Sequence, residues 1–284
     1  MTGAVLAGLR YVEVETSRRC NRTCAWCPNG HSSARTEQQL MEWPLFTRIA
    51  AQLGQARYSG WLAFHNYNEP LLNPRLDQEV SWLACHVPGA RPAIYTNGDL
   101  LKSEILTSLI AAGVRYVRVT RYPHDASAEP GYDGLKRWMR QAGLLEACEW
   151  EWMPVRQGLA ARWQNQVTGV LVEVISPAIA GYNDRGGTAL IPVTIPRMRT
   201  DPCSMTATSL SIDYRGIVKM CCNVIPDSAV EHQRYVVGSV ADATLADLWE
   251  HPLMRDWRTR HAAADWSASP ACRTCVQALP ETRR

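Results

Sequence analysis

Three cysteines lie close together near the start of the chain, in the run Cys20-Asn21-Arg22-Thr23-Cys24-Ala25-Trp26-Cys27. This C-x3-C-x2-C spacing follows a segment, Arg10 to Glu15, that alternates polar and apolar residues like a strand. Three neighbouring thiolates can bind three irons of a [4Fe–4S] cube and leave the fourth iron open. Such cysteines also bind zinc, but no nearby residue completes a tetrahedral set. The run therefore predicts an iron–sulfur cluster with one open position.

A second set of cysteines lies in the last third of the chain: Cys203, Cys221, Cys272 and Cys275. The segment Thr208 to Met220 alternates around a turn sequence at 213–216, which predicts a β-hairpin that brings Cys221 back towards Cys203. A helix predicted from Leu245 to His261 then returns the chain to the terminal C-x2-C. Four thiolates from distant segments make a closed site that suits either [4Fe–4S] or zinc.

Composition limits the classes of protein to which the chain can belong. Hydrophobic residues make up 46% of the 284 residues, which supports a packed core, and the net charge of +3 gives no sign of a nucleic-acid partner. No export signal or membrane-spanning run is visible, so we expect a cytoplasmic protein. Ten cysteines in a reducing compartment indicate metal ligation. Cys85 and Cys148 lie in apolar segments and are predicted to be buried.

Strand and helix patterns alternate through the first two thirds of the chain. The predicted strands after the first are Gly60 to His65, Ala93 to Thr96, Val114 to Thr120, Cys148 to Met153 and Val170 to Ile175. The predicted helices are residues 41–54, Leu76 to Val87, Ser103 to Ala112 and Asp133 to Ala142. Repeated β–α units predict an α/β fold with a parallel sheet, open or closed into a barrel. In such folds the chemistry lies at the carboxyl ends of the strands.

Polar residues follow three of these strands at that end. Glu69 lies in the segment His65 to Pro70, the sequence Thr96-Asn97-Gly98 follows the next strand, and Thr120 and Arg121 follow the fourth. Each segment alone has the composition of an ordinary loop, and Asn97-Gly98 alone predicts a tight turn. Because the carboxyl ends of parallel strands share one edge of the sheet, we expect these side chains to lie near the first cysteine run.

The cysteine run and these strand ends together resemble the radical S-adenosylmethionine (SAM) superfamily. The resemblance implies a partial (β/α)6 TIM-like barrel, in which the open iron chelates SAM and the reduced cluster splits it into a 5′-deoxyadenosyl radical. It also implies roles for individual residues. Glu69 would hold the SAM amine, Thr96 and Asn97 would lie near the ribose and the carboxylate, and Trp26 would lie near the adenine. Thr120 and Arg121 complete the expected SAM site, and Asn68 stands where the family usually has glycine.

The second cysteine set resembles the small auxiliary-cluster domain of these enzymes, called twitch in its short form and SPASM in its long form. Beside a radical SAM motif, this resemblance favours a second [4Fe–4S] cluster over zinc. Composition shifts in the polar loop Gly181 to Gly187, so we expect a barrel over residues 1–185 and an auxiliary domain over residues 186–284. The family also implies an external electron donor of the flavodoxin or ferredoxin type.

Most of the chain resembles radical SAM enzymes that oxidise or epimerise aminocyclitols and aminoglycosides. Within that group, Arg185 would lie by the substrate hydroxyl, either as its base or as a binding residue. Cys222 replaces an aromatic pocket residue of the dehydrogenases, and a thiol there can return hydrogen to a substrate radical, pack, or bind the cluster. The sequence therefore favours epimerisation through Cys222, with dehydrogenation through Arg185 as the alternative. Peptide modification and a non-enzymatic iron–sulfur or zinc scaffold explain fewer of the motifs.

Overall fold

The computed structural model describes residues 6–123, 131–155, 158–179, 183–190, 198–227 and 229–276. Within them, ten strands form one sheet in the order β10-β9-β8-β1-β2-β3-β4-β7-β6-β5. The strands are β1 Tyr11–Val14, β2 Trp61–Phe64, β3 Arg91–Thr96, β4 Tyr116–Thr120, β5 Glu151–Val155, β6 Gly158–Gln164, β7 Leu171–Pro177, β8 Ser209–Ile212, β9 Ile217–Lys219 and β10 Val236–Ser239. The helices are α1 Trp43–Gln55, α2 Leu76–His86, α3 Ser103–Ala112, α4 Tyr132–Gln141, α5 Met205–Thr208, α6 Leu245–Trp249 and α7 Pro252–Ala262.

The centre of the sheet is parallel. Strands β8, β1, β2, β3, β4 and β7 pair in parallel in that order, and α1, α2 and α3 form the connections between the first four strands of the chain. This arrangement confirms the predicted α/β fold of the radical SAM type. It also confirms that the carboxyl ends of β1 to β4 lie at one edge, because parallel neighbours point the same way.

The two faces of the central strands differ in character. One face carries aliphatic residues such as Val12 and Val14, which pack against buried residues of the helices such as Phe46 and Leu53 in the main hydrophobic core. The opposite face carries aromatic and charged side chains, because successive residues of a strand point to opposite sides. Glu13 lies on this second face, which we call the inner face of the sheet.

The far end of the sheet departs from a simple repeat of β–α units. The strand beside β4 is β7, while β5 and β6 form an antiparallel extension outside it. Thus the strand predicted near residues 148–153 exists but does not continue the parallel barrel. Pro154 explains its place, since proline lacks the N–H that an interior strand must donate and is tolerated at a sheet edge.

The last third of the chain extends the same sheet on its other side. The predicted hairpin is confirmed as β8 and β9, which are antiparallel and joined by the turn at 213–216. The helix predicted from Leu245 to His261 is two helices, α6 and α7. Pro252 begins α7 at its first turn, and proline disfavours a helical conformation at the preceding residue, which is His251. The prediction of one continuous helix is therefore wrong.

Two cysteines lie elsewhere than predicted. Cys85 is exposed, and Cys148 is only half-buried. Cys85 lies off the buried face of α2, which consists of Leu76, Glu79, Val80 and Leu83. Of the polar loop at 181–187, residues 181 and 182 lie outside the described part. Among the described helices, none has the length and apolar character needed to cross a membrane.

The turn between β8 and β9 yields a stability prediction. Gly216 has φ of +82°, and a Cβ there would lie 2.8 Å from Leu45 Cδ2. Gly216→Ala should therefore lower the free energy of unfolding by about 1–3 kcal/mol, because it combines backbone strain with overpacking. Gly134→Ala in α4 is the control, since that glycine has open space around it. The control should raise stability by about 1 kcal/mol. Chemical denaturation measures both changes, and equal stabilities of the two variants would contradict this account.

Candidate active site

The first three cysteines lie on the loop that follows β1. Cys27 N–H donates to Cys24 O at 3.1 Å, and Gly30 N–H donates to Cys27 O at 2.9 Å, so the loop coils back on itself. A Cβ at Gly30 would lie 2.4 Å from Cys24 O, and glycine alone fits this approach. The packing holds the backbone of Cys24 and Cys27 against the start of the next turn and presents the cysteine thiols at one place.

Asn29 ties this loop to the end of β2. Its amide is buried and donates to Tyr67 O at 2.6 Å and to Arg18 O at 3.3 Å. Both contacts cross between chain segments, so the amide fixes the cysteine loop over the edge of the sheet. Sequence reasoning did not predict these buried contacts of the Asn29 amide.

The thiols of this loop influence one another electrostatically. Burial is the main cause that raises the pKa of Cys20 to about 12 and of Cys24 to about 11, and the neighbouring thiols raise both further. In the described part of the chain, no three Cys, His, Asp or Glu side chains are grouped in the way that one metal ion requires. A four-iron cube binds each ligand at a separate iron, so its thiolates stand farther apart than those around a single zinc ion. A donor set of three thiols fits an iron–sulfur cluster, because cysteine thiolates are the ligands that hold such clusters.

Glu69 joins the second and third strand ends. Its carboxylate accepts hydrogen bonds from Thr96 Oγ1 at 2.6 Å, from Asn97 N–H at 2.7 Å and from Leu71 N–H at 3.1 Å. The side chain is 1% exposed, and burial raises its pKa to about 7. The negative charge of this carboxylate also raises the pKa of Cys20, so Glu69 lies near the cysteine loop. A buried carboxylate in this position can hold a cation beside the cluster.

A charged clamp closes the same edge. Asp99 accepts hydrogen bonds from Arg22 Nε at 2.7 Å and from Arg121 Nη1 at 2.8 Å. The two guanidinium groups hold the pKa of Asp99 well below its usual range, against the effect of burial. Arg121 also donates to Asn97 O at 2.6 Å. This clamp connects the cysteine loop with the ends of β3 and β4, a link that sequence reasoning missed because it joins three separate loops.

Aromatic and apolar residues form the adjoining wall. Trp26 is buried against Ile179, and its ring centroid lies 5.8 Å from that of Tyr122. Thr120 is the last residue of β4 and lies two positions before Tyr122 in the chain. The structure thus places the predicted residue Trp26 in a small apolar cluster suited to a flat ring. Asn68, the departure from the family glycine, accepts from Asn66 N–H at 3.0 Å and so folds into its own loop.

The inner face of the sheet carries a second group of charges. His65 Nε2 lies 3.3 Å from Glu13 Oε1 and 3.2 Å from Tyr11 Oη, and the His65 ring stacks on Tyr95 at 4.1 Å. Glu13 is 4% exposed, and burial raises its pKa to about 7 even though the positive charge of Lys219 lowers it. Lys219 is 2% exposed and comes from β9 in the last third of the chain.

This inner-face group was missed by sequence reasoning, although one signal was present. Glu13 and Glu15 alternate with Val12 and Val14 in a strand that is central to the sheet. A central strand of a barrel-like sheet is covered on both faces, so acidic residues on it face an enclosed space rather than solvent. The alternation therefore marks a buried polar face as well as a strand.

The structure also gathers the four auxiliary cysteines. Besides burial, Cys272 and Cys275 raise the pKa of Cys221, and Cys203 and Cys275 raise the pKa of Cys272. These thiols therefore lie near one another. Burial is the largest cause that raises the pKa of Cys272, to about 12. Cys203 N–H donates to His261 O at 3.0 Å, which anchors the first of them to α7. The predicted convergence of the hairpin and the terminal C-x2-C is therefore present, and the four thiols fit an iron–sulfur cluster.

Cys222 and Arg185 lie between this group and the inner face. Cys222 is half-buried, and the pKa of its thiol is raised by burial first and then by the charge of Glu13, while Arg185 and Lys219 lower it. The thiol thus belongs to the inner-face surroundings. Arg185 Nη1 donates to Asn223 Oδ1 at 3.1 Å. Its charge also reaches Glu13, so the guanidinium spans the two regions.

Comparison with known proteins adds to this geometry. The model of the radical SAM superfamily matches residues 14–142, and that of SPASM, an iron–sulfur cluster-binding domain, matches residues 203–276. The chain is 28% identical over 272 residues to the S-adenosyl-L-methionine-dependent 2-deoxy-scyllo-inosamine dehydrogenase of Niallia circulans. That match covers 95% of this chain and 94% of the relative.

Solved structures give a consistent result. The crystal structure of BtrN in complex with AdoMet and 2-DOIA matches with a TM-score of 0.70 and 26% identity, over 95% of this chain and 93% of that chain. Native anSMEcpe with bound AdoMet matches with a TM-score of 0.56 and 13% identity, over 89% of this chain and 83% of that chain, and this likeness concerns the fold alone. The chain therefore carries a radical SAM domain over residues 14–142 and an iron–sulfur cluster-binding domain of the SPASM type over residues 203–276.

Proposed function

We propose that this radical SAM enzyme oxidises a secondary alcohol of an aminocyclitol to a ketone. The observation that carries the proposal is the match to a SAM-dependent aminocyclitol dehydrogenase, which extends over 95% of this chain and includes both matched domains. The sequence alone favoured epimerisation. The comparisons support the alternative better, because the relative that matches along 95% of this chain is named as a dehydrogenase.

The first cluster and SAM bind at the edge of the sheet formed by the carboxyl ends of β1 to β4. Cys20, Cys24 and Cys27 hold the cluster, and Glu69 accepts hydrogen bonds from the SAM amine. The buried carboxylate has room for this role, because two oxygens offer about four acceptor sites and the protein uses three. Trp26 lies against the adenine. Thr96, Asn97, Thr120 and Arg121 shape the remainder of the SAM site.

The inner face binds the substrate. An aminocyclitol ring presents hydroxyl groups and an ammonium group, so its pocket needs both donors and acceptors. Glu13 and Glu15 supply carboxylates, and Lys219 and Arg185 supply cations, all within one enclosed group of charges. Asn66 Nδ2 lies 3.1 Å from Ser211 Oγ on the same face, which extends the polar lining towards β8. An apolar substrate would bring no donors or acceptors to this charged lining.

The chain's own residues account for the proton of the alcohol. When bound, SAM and the first cluster would supply the radical that takes a hydrogen atom from the carbinol carbon, and the second cluster would supply an acceptor for the remaining electron. The hydroxyl proton passes to the pair formed by Glu13 and His65, whose nearest atoms are 3.3 Å apart. Arg185 binds and polarises the hydroxyl rather than taking its proton, because a guanidinium stays protonated in proteins. An external flavodoxin or ferredoxin supplies the electron that starts each cycle.

Epimerisation is the second candidate, and one observation favours it. The Cys222 thiol lies among the inner-face charges of Glu13, Arg185 and Lys219, where a hydrogen donor would be needed. In that reaction the thiol returns a hydrogen atom to the carbon radical on the opposite face. No net oxidation of the substrate then occurs, so the products of the two reactions differ in mass.

Product analysis tests the choice between these reactions. The reconstituted enzyme is incubated without oxygen in D2O with SAM, a reductant and 2-deoxy-scyllo-inosamine. Mass spectrometry should show loss of two hydrogens and no carbon-bound deuterium, with 5′-deoxyadenosine formed in equal amount. Cys222→Ala should keep this activity within a few-fold. If the wild type instead gains one deuterium at unchanged oxidation level and Cys222→Ala stops this exchange, the reaction is epimerisation.

SAM binding should depend on pH through Glu69. Burial raises the pKa of this carboxyl to about 7, and the N–H donors of a bound SAM amine lower it again. Above pH 7 the carboxyl is already ionised, so Glu69 adds no further pH dependence there. Below pH 7 binding must release a proton, so affinity should fall by up to about tenfold per pH unit. Calorimetry between pH 6 and pH 8 measures this dependence on enzyme with both clusters loaded.

The variant Glu69→Gln sharpens this test. It should bind SAM about 10- to 100-fold more weakly at pH 8 and lose the pH dependence, because a charge-assisted contact is gone. Glu79→Gln is a matched control, since Glu79 is also a buried carboxyl whose pKa is raised by burial. Glu79 accepts from Asn73 under α2 instead of facing the cysteine loop. Unchanged affinity in Glu69→Gln would show that the amine binds elsewhere.

A further inference from the structure

Two side-chain amides meet at one cysteine of the auxiliary group. Asn183 Nδ2 lies 3.4 Å from Cys275 Sγ, and Asn223 Nδ2 lies 3.6 Å from the same sulfur. Both asparagines are buried, with 7% and 6% of their surfaces exposed. They come from separate segments, one before the auxiliary cysteines and one just after Cys222. Two N–H donors therefore converge on a single sulfur from different parts of the chain.

Arg185 fixes the direction in which both amides point. Its backbone N–H donates to Asn183 Oδ1 at 3.1 Å, and its Nη1 donates to Asn223 Oδ1 at 3.1 Å. An amide whose oxygen is held by a donor must turn its NH2 group the other way. For both asparagines that other direction is Cys275. One arginine thus orients two N–H···S contacts, one through its backbone and one through its side chain.

The loop around Arg185 is held in an unusual conformation. Arg185 has φ of +56°, a region that residues other than glycine rarely adopt, and Gly186 follows with φ of +67°. His232 holds the loop in place: its Nδ1 accepts from Ile225 N–H at 3.1 Å, so its protonated Nε2 donates to Gly186 O at 3.1 Å. Such strain persists only where surrounding contacts fix it, and it is typical of functional sites.

Hydrogen bonds to ligand sulfurs set the reduction potential of an iron–sulfur cluster. A reduced cluster carries one more negative charge, so an N–H donor at a ligand sulfur stabilises the reduced form more than the oxidised form. We infer that Arg185 is a positioning residue that aims Asn183 and Asn223 at Cys275 and so raises the reduction potential of the auxiliary cluster. This inference rests on the proposed function only in taking Cys275 as a ligand of that cluster.

Asn223 also contacts a second auxiliary cysteine, Cys221. The Asn223 backbone N–H is a hydrogen-bond donor to Cys221, so one residue contacts two of the four auxiliary thiols. A substitution of the Asn223 side chain keeps this backbone contact and removes only the amide at Cys275. The side-chain effect can therefore be measured separately from the loop that carries it.

The test is a redox titration of the auxiliary cluster followed by electron paramagnetic resonance. Asn223→Leu has a side chain of similar size without an N–H donor. Asn183→Ser keeps an oxygen that can cap Arg185 N–H but lacks the amide. Each variant should make reduction of the auxiliary cluster about tenfold less favourable, a fall of about 59 mV for a one-electron couple. The double variant should show about the product of the two effects.

Two controls accompany these variants. Thr188→Val removes a hydrogen bond of 2.8 Å to Arg185 O in the same loop but no donor to sulfur, so it should leave the potential unchanged. The first cluster of each variant is an internal reference, since its potential should not move. Arg185→Lys should lower the auxiliary potential as well, because the group that orients Asn223 is lost.

The outcomes distinguish this inference from the proposed function. Asparagine variants with full iron content and the wild-type potential would overturn the inference, whatever the product of the reaction. Loss of the auxiliary cluster from both single variants would overturn it too, since the amides would then be needed for assembly. If only Asn223→Leu fails to bind the auxiliary cluster, the reduction potential of Asn183→Ser decides whether the inference holds. A shifted potential in an enzyme that epimerises its substrate would support the inference and contradict the proposed function.

Discussion

The parallel pairing of β1 with β8 determines where the reactive groups lie. β1 carries Glu13 on its inner face and leads into the first cysteine loop, while β8 begins the hairpin that leads to Cys221. Pairing these strands in register places the start of the chain beside its last third. The segments that lead to the two cysteine groups are therefore neighbours in the sheet, although they are far apart in sequence. Without this pairing, neither Lys219 nor Cys222 would approach Glu13.

The exclusion of solvent from the inner face of the sheet explains the raised pKa of Glu13. Glu13 is held among Lys219, Arg185 and His65, and desolvation still outweighs these partners, since its pKa rises to about 7. A carboxyl with this pKa exchanges protons near neutral pH, as a general base should. Charges in such surroundings interact strongly because the local dielectric constant is low. The polar substrate proposed here would complete a set of donors and acceptors that the fold has already assembled.

Local patterns made much of this molecule predictable. The cysteine spacing and the strand-end residues Glu69, Thr96 and Asn97 are short-range signals, and in the structure Thr96 Oγ1 and the Asn97 backbone N–H both donate to the Glu69 carboxylate. The hairpin was predictable because its turn and alternation lie within one segment. The place of β5 was missed because strand pairing is set by distant residues, although Pro154 indicated an edge.

Other features depended on contacts that no single segment encodes. The clamp of Arg22, Asp99 and Arg121 joins three loops, and the amides at Cys275 come from both sides of the auxiliary region. The inner-face pairing of Glu13 with Lys219 joins the first strand to the ninth. Such contacts follow from the packing of the whole sheet, and sequence spacing carries no information about them.

The most direct test of the account is Mössbauer spectroscopy with iron analysis on anaerobically reconstituted protein. We expect two [4Fe–4S] clusters, and hence about eight irons, in each chain. Addition of SAM should change the signal of one cluster only, because the four cysteines proposed for the auxiliary cluster would leave it no open iron. Replacement of Cys20, Cys24 and Cys27 by alanine should remove that responsive cluster and leave the other. A single cluster per chain, or stoichiometric zinc at the auxiliary cysteines, would contradict the account.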